Sequence, residues 1–498
     1  MRLFIFFSFL LAFSSCGTPS GSRTEGIQLD SSQWNNLHEQ FKESAIIHRR
    51  FKHVTVDSLL QQHAQSSIYK LDEIGKSVEG RAIYELTYGQ GAKKVMLWSQ
   101  MHGDEPTATM ALFDIFNFLK GSGDGFDSIR NILKEELAIH VIPMLNPDGA
   151  ERYMRRNAQR IDLNRDARAG QTVEGALLRS RAKAIAPRFG FNLHDQHIYY
   201  NTAGSTKPVS ISLLAPAFNQ ERDVNEVREG AMKIIVGMNK VLNQYIPGAI
   251  ARYDDTYTPR GFGDNFQSWG ASTVLIESGG MKGDPEKQQI RKLNFIIILN
   301  ALLEIAQGSY QQYEAKQYED IPYNTSQLHD LVLRGLSFGS DAIPLNSDIA
   351  IRRSENTVGT DFFVRGRVED VGDLQESFGY EELDAKGLTF VMGKMAEKPI
   401  DSLNALTAAI AYELLKKGIM GIAVKSPKLE DAGKLHNLPI HITAKNSFAS
   451  TPFIDLGGTT NFYLADAAGT LKYAVLNGYL IDLSKPLEEL PLIKSQVF

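Results

Sequence analysis

The chain has a single cysteine in 498 residues, Cys16, so no disulfide framework can hold it together. Long apolar runs are missing too. The most apolar stretches, Leu3 to Phe13 and Phe295 to Ala306, reach 11 and 12 residues, short of the roughly 20 that a membrane-spanning helix needs. Blocks of positive charge are equally scarce. None is longer than His48-Arg49-Arg50, and a formal net charge of −5 argues against a nucleic-acid partner. No short internal repeat stands out. What remains, with 43% hydrophobic and 22% charged residues, is the composition of an ordinary globular protein. Length alone suggests roughly two to four domains.

The N-terminus carries an address. Arg2 gives a positive start, Leu3 to Phe13 an apolar core, and Ser14-Ser15-Cys16 a small-residue end. A lone cysteine there resembles a bacterial lipoprotein signal in which the new N-terminal Cys is lipidated, although Phe13 stands where an aliphatic residue is usual. The reading is a signal peptide over 1–16 and a Gly/Ser/Thr-rich tether over 17–30. The protein is then expected to be exported and held through its lipidated N-terminus in the bacterial envelope, periplasm or outer membrane. The alternative is an ordinary secretory signal with an incidental Cys16.

Apolar runs of strand length alternate with helical patterns from about residue 31 to 312. Strands are expected at Arg81 to Tyr88, Val95 to Trp98, Leu137 to Met144, Phe189 to Leu193 and Ser272 to Ile276. Helices are expected over residues 33–66, 107–120, 173–186, 220–242 and 295–306. This alternation predicts an α/β domain with a doubly wound, mixed and mostly parallel sheet and helices on both faces. Residues 313–330, polar and tyrosine-rich, read as a linker. Residues 331–498 read as a separate β-rich domain, with one helix over 403–417 and a hairpin turn at Asn477-Gly478.

Three strand ends carry chemistry. His102 and Glu105 lie on the turn after the strand that ends at Trp98, where α/β proteins place ligands. His194 ends the strand Phe191-Asn192-Leu193, and Glu277 ends Thr273-Val274-Leu275-Ile276. An imidazole and a carboxylate three residues apart can share one zinc ion and leave room for more ligands. A glutamate closing an apolar strand is costly unless it faces a polar crevice. Between these ends, Asn146-Pro147-Asp148-Gly149, Arg155-Arg156-Asn157 and Asp162-Leu163-Asn164-Arg165 gather cationic and amide groups on loops.

The ordered set HxxE, NPDG, RxN, DLNR, strand-end His and strand-end Glu resembles the zinc carboxypeptidases of the carboxypeptidase A type. Ile74-Gly75-Lys76-Ser77-Val78-Glu79-Gly80-Arg81 is similar to that family's opening turn, and the match covers about residues 30 to 310. The resemblance implies one Zn²⁺ held by His102, Glu105 and His194, with water in the fourth place. It implies Glu277 as the general base and acid, Arg155 as the oxyanion stabiliser, and Asn164 with Arg165 as the grip on a substrate's terminal carboxylate. Arg156 remains an alternative to Arg155. Tyr257 matches the family's mobile tyrosine, with Tyr253 as the alternative alignment. His197 competes with His194 as a ligand, His140 reads as a core histidine, and Asp264 could line a pocket for a basic side chain. The implied activity is removal of C-terminal residues from peptides with a free carboxylate, cell-wall or nutrient peptides among them. An amidohydrolase of N-acyl amino acids, of the desuccinylase and aspartoacylase type, shares part of the pattern. A binding protein that keeps the zinc fold without turnover is the third reading.

In the second half, Gly366 to Gly372, Leu383 to Leu388 and Ala465 to Gly478 resemble the strands that flank the barrel of amidohydrolases. The His-x-His those enzymes use for metal is absent, because Met392-Gly393-Lys394-Met395 stands there. A β-sandwich without catalysis is expected.

Overall fold

The structure is a computed structural model that describes residues 27–340, 343–425, 433–444 and 453–498. The expectations for the signal segment and Cys16 fall outside the described residues.

The first region is built on an eight-stranded sheet. In chain order its strands are β1 (Tyr69–Lys76), β2 (Ala82–Tyr88), β3 (Lys93–Trp98), β4 (Leu137–Ile142) and β5 (Phe189–Asp195). After a two-residue β6 (Asn201–Thr202), which pairs elsewhere, come β7 (Ile211–Leu214), β8 (Ile250–Arg252) and β9 (Ser272–Ser278). The spatial order is β1-β2-β4-β3-β5-β9-β7-β8. The centre β4-β3-β5-β9 is parallel. The β1-β2, β2-β4 and β7-β9 pairings are antiparallel.

The helices are α1 (Ser31–Phe41), α2 (His53–Ala64), α3 (Thr107–Lys120), α4 (Asp127–Glu136), α5 (Pro147–Arg152), α6 (Val173–Ile185), α7 (Glu226–Leu242), α8 (Phe262–Ser268) and α9 (Gln288–Gln307). They divide between the two sheet faces because β3 alternates. Val95 and Leu97 join the core made with α3, α7 and α9. Met96 and Trp98 join the opposite core, made with α6 and α8. A strand buried on both faces is mostly apolar, which is why β3 and β5 read as near-continuous runs. α9 is longer than its apolar stretch suggested, and it buries Arg291 against Asp114, both without solvent exposure.

The segment 313–330 is packed rather than extended. Tyr318 and Ile321 are buried in the main core, and β10 (Asn324–Thr325) pairs with β6. From Leu328 the chain runs directly into the second region.

That region has β11 (Leu328–Ser340), β12 (Ile343–Val358), β13 (Asp361–Gly372), β14 (Phe378–Asp384), β15 (Thr389–Met392) and β16 (Lys394–Met395). Then follow α10 (Ala408–Lys416), β17 (Ile419–Ala423), β18 (Leu435–His436), β19 (His441–Thr443), β20 (Phe462–Ala465), β21 (Leu471–Leu476), β22 (Tyr479–Asp482) and β23 (Ser495–Gln496). One large sheet runs β13-β12-β11-β15-β20-β21-β22, with β14 beside β11. Its main core comes from its own strands, Leu333, Ile349, Leu464 and Val475 among them, so the sheet curls around it. A small parallel sheet, β16-β17-β19, and α10 complete the region. The expected sandwich is therefore one curled sheet with a small α/β unit beside it. The Asn477-Gly478 turn does join β21 to β22.

The two regions dock closely. Tyr380 Oη donates to the Ile198 carbonyl at 2.6 Å, and Tyr199 Oη donates to Asp330 at 2.7 Å. Arg49 reaches Glu355 at 2.6 Å, while the Arg50 guanidinium lies between Tyr153 and Phe362, 4.3 and 4.1 Å from their ring centres. Gly280 permits the approach, because a Cβ there would stand 2.3 Å from the Tyr380 hydroxyl.

Candidate metal centre and catalytic cavity

Three adjacent parallel strands, β3, β5 and β9, end at the same edge of the sheet. β5 and β9 pair in register so that His194 stands opposite Glu277. The turn after β3 carries His102 and Glu105 to the same edge, where the chain turns off in opposite directions on either side of β3.

The turn is held from behind. Asn146 caps α5 through Gly149 N–H at 2.9 Å and donates to the Met101 carbonyl at 3.2 Å. Gly103 lies so close to this turn that a Cβ would meet the Gly149 carbonyl carbon at 2.0 Å. Asp148 accepts from Ser77 Oγ at 2.7 Å, Glu79 N–H at 3.0 Å and Arg81 at 2.7 Å. The NPDG and IGKSVEGR segments thus belong to one hydrogen-bonded unit.

His102, Glu105 and His194 are buried, and their ligand atoms lie within 4.8 Å of one another. Glu105 directs one oxygen to each imidazole, 2.8 Å from His102 Nδ1 and 2.7 Å from His194 Nδ1. The two Nδ1 atoms are 3.2 Å apart. Ligands at zinc bond lengths of about 2.0–2.1 Å in a tetrahedron stand about 3.3 Å from each other, so the group fits a zinc ion. His102 Nε2 donates to Asp162 Oδ1 at 2.9 Å, which turns Nδ1 toward the other two groups.

The charges follow the geometry. Burial opposes charge on His102, but Glu105 and Asp162 outweigh it and raise the imidazole to about 9. Burial also opposes charge on Glu105, yet the two imidazoles hold it well below the usual carboxylate range. Burial, reinforced by the Glu105 charge, pushes Glu277 well above that range.

Around this centre is a cavity of about 520 Å³, lined by Glu277, Arg155, Asn164, Arg165, Tyr253 and Asp264 among others. Arg155 reaches Glu105 at 3.0 Å and Asp162 at 3.1 Å, whereas Arg156 turns to the Arg160 carbonyl at 2.9 Å. The structure thus brings Arg155, not its neighbour, to the centre. Asn157 organises the loop from Arg156 to Asp162, accepting from Gln159 and Ile161 N–H and donating to Glu174. Asn164 Oδ1 accepts from Phe262 N–H at 2.8 Å, and Arg165 is exposed beside it. Tyr253 lines the cavity, and its hydroxyl is pushed up by burial and by Glu277. Tyr257 does not line it. Asp264 accepts from Thr258 N–H at 2.8 Å, and burial raises it to about 6. His197 stacks on Tyr200 at 3.9 Å instead of joining the metal group. His140 pairs with buried Glu85 at 3.0 Å, well inside the sheet.

Three participants had little or no sequence signal. Asp162 lies within the DLNR motif, but its role as the hinge between His102 and Arg155 depends on the loop's path. Asp195 and Lys287 form a buried ion pair of 2.9 Å on the cavity wall, from positions 92 residues apart. Nothing local marks that pair.

Part of the chain is similar to known proteins. Residues 56–229 match the family model described as zinc carboxypeptidase. An uncharacterized protein of Zymomonas mobilis is 32% identical over 109 residues, covering 22% of this chain and 28% of that protein. Mouse carboxypeptidase M is 32% identical over 129 residues, covering 22% of this chain and 29% of its own. The chain therefore spans less than a third of the length of these relatives. Among solved structures, a metallo-carboxypeptidase from Burkholderia cenocepacia aligns with 52% of this chain and 70% of its own, at 18% identity and a TM-score of 0.43. With its His-Glu-His centre on the edge of a doubly wound sheet, the chain is similar over residues 56–229 to the zinc carboxypeptidases.

Proposed function

We propose that the protein is an exported, zinc-dependent carboxypeptidase that hydrolyses the C-terminal amide bond of peptides. The observation that carries this reading is the convergence of His102, Glu105, His194 and Glu277 on one cavity that also holds Arg155, Asn164 and Arg165. A zinc ion bound by His102, Glu105 and His194 supplies a Lewis acid that lowers the pKa of water and polarises the scissile carbonyl.

The chain's own groups do the rest. Glu277 takes the proton of the attacking water and returns one to the leaving amine. Arg155, fixed by Asp162, offers permanent positive charge to the developing oxyanion. Arg165 binds the terminal carboxylate through parallel hydrogen bonds and Asn164 adds its amide, so that the last amide bond is the one presented. Tyr253 rather than Tyr257 is the tyrosine placed to close over the substrate. Asp264, at the same end as Arg165, favours a leaving residue with a basic side chain. The lipidated Cys16 would hold the enzyme at the envelope, where peptides derived from the wall or from nutrients pass.

The test is a mass-spectrometric screen of peptides, murein fragments and N-acyl amino acids, with zinc or with chelator. Stepwise loss of C-terminal residues only in the zinc-loaded sample is the expected result. Release from N-acyl amino acids with peptides left intact would transfer the activity to the rival amidohydrolase reading.

A further inference from the structure

A second cavity, of about 820 Å³, lies between the two regions, within the usual size range of ligand sites, about 300–1,000 Å³. It shares Arg49, His197, Ile198 and Lys287 with the catalytic cavity and none of Asn164, Arg165 or Asp264. The two spaces therefore adjoin at the end of the catalytic cavity away from the carboxylate grip. Resting on the proposed function, we infer that the second cavity binds the part of a peptide on the amino side of the scissile bond, and that the C-terminal region supplies its apolar wall.

The direction follows from the chemistry. An exopeptidase holds the last residue at Asn164 and Arg165, so the remainder of the peptide must leave past Glu277 toward the opposite end. There it meets Phe362, Tyr380, Tyr479 and Leu492 from the C-terminal region and Met281 from the catalytic one. The charged groups on this wall are mostly engaged with each other. Arg353 pairs with Asp330 at 2.9 Å and lies over Tyr479 at 4.2 Å. Arg49 is bound to Glu355 at 2.6 Å and Lys494 to Asp361 at 2.6 Å. Beside Lys282 and Glu381, apolar surface is what is left to recognise a ligand, and Leu492 presents it most openly, at 62% exposure. The preferred occupant is an aromatic or large aliphatic side chain upstream of the cleaved residue. The wall is fixed to the catalytic region by the Tyr380–Ile198 hydrogen bond and the close approach at Gly280, so the subsite exists before substrate arrives.

The experiment measures kcat/KM for N-acetylated peptides of two to five residues that share one C-terminal residue and carry either glycine or phenylalanine upstream. The full-length zinc-loaded protein is compared with Leu492→Asp and Leu492→Met. The wild type should gain about 10-fold in kcat/KM from the dipeptide to the phenylalanine-containing tetrapeptide. Leu492→Asp should lose most of that ratio and Leu492→Met should keep it. A wild-type ratio near one, or a ratio that survives Leu492→Asp, overturns the inference while leaving the carboxypeptidase reading intact. Failure of the wild type to cleave any member overturns both, and the two kinds of failure are distinguishable in the same data.

Discussion

The two regions solve the problem of burying a sheet differently, and the contrast explains where the chemistry sits. In the first, helices cover both faces, and β3, β5 and β9 are buried almost end to end. Their ends open on the sheet edge, and there His102, His194 and Glu277 meet. In the second, β12 is exposed at both ends and buried only near Ile349 to Ile351. A large curled sheet of that kind gives a broad wall. The first region brings His102, Glu105, His194 and Glu277 to one point, and the C-terminal region presents surface.

If that division is right, the largest effect belongs to the metal group. Chelation, or His194→Ala, should abolish turnover, and zinc should restore the chelated wild type alone; activity assays with metal analysis check this. Next comes Arg155→Ala, which should cost about 10²–10³ in kcat. Arg156→Ala, whose guanidinium faces a backbone carbonyl away from the cavity, should stay within a few-fold. Equal losses from both would break the assignment. Asp162→Asn should weaken zinc affinity about 10–100-fold by releasing the His102 ring, as competition with a chromogenic chelator would read.

The smallest effect separates the regions by stability. Burial lowers His329, His436 and His441 of the C-terminal region to about 4. Between the unfolded value of about 6.5 and 4 the unfolded chain binds more protons than the folded one. Stability therefore falls as pH drops through that window. The melting temperature of the C-terminal region should fall from pH 7 toward 4, and a flat profile would contradict the burial of these rings.

Much of the first region was readable because its chemistry is punctuated by periodicity. Continuous apolar runs announced the parallel strands, and a His or Glu directly after such a run had few places to go. Fine positions were not readable. Arg155 and Arg156 are neighbours, and only the loop's path, set by Asn157 and Asp162, turns one of them inward. The choice between Tyr253 and Tyr257 depends likewise on how the chain leaves β8. Composition misled at 313–330, where polar and tyrosine-rich sequence read as a linker. Tyr318 buries its ring while its hydroxyl accepts from Ala215 N–H at 3.3 Å, as an amphipathic side chain can. The long strands β11 and β12 escaped notice for a related reason. Arg352 and Arg353 sit in mid-strand, paired to Glu369 at 3.3 Å and Asp330 at 2.9 Å, and so mask the alternation by which a half-buried strand is recognised.

In the proposed function, Glu277 acts on water at a centre held by His102, Glu105 and His194. It is tested most directly by comparing zinc-loaded wild type with zinc-loaded Glu277→Gln on a cleaved peptide, with zinc content measured in both. Equal zinc content and a kcat lower by about 10²–10⁴ in the variant are the expected result. Chelator-sensitive cleavage that persists at the wild-type rate in Glu277→Gln would contradict it.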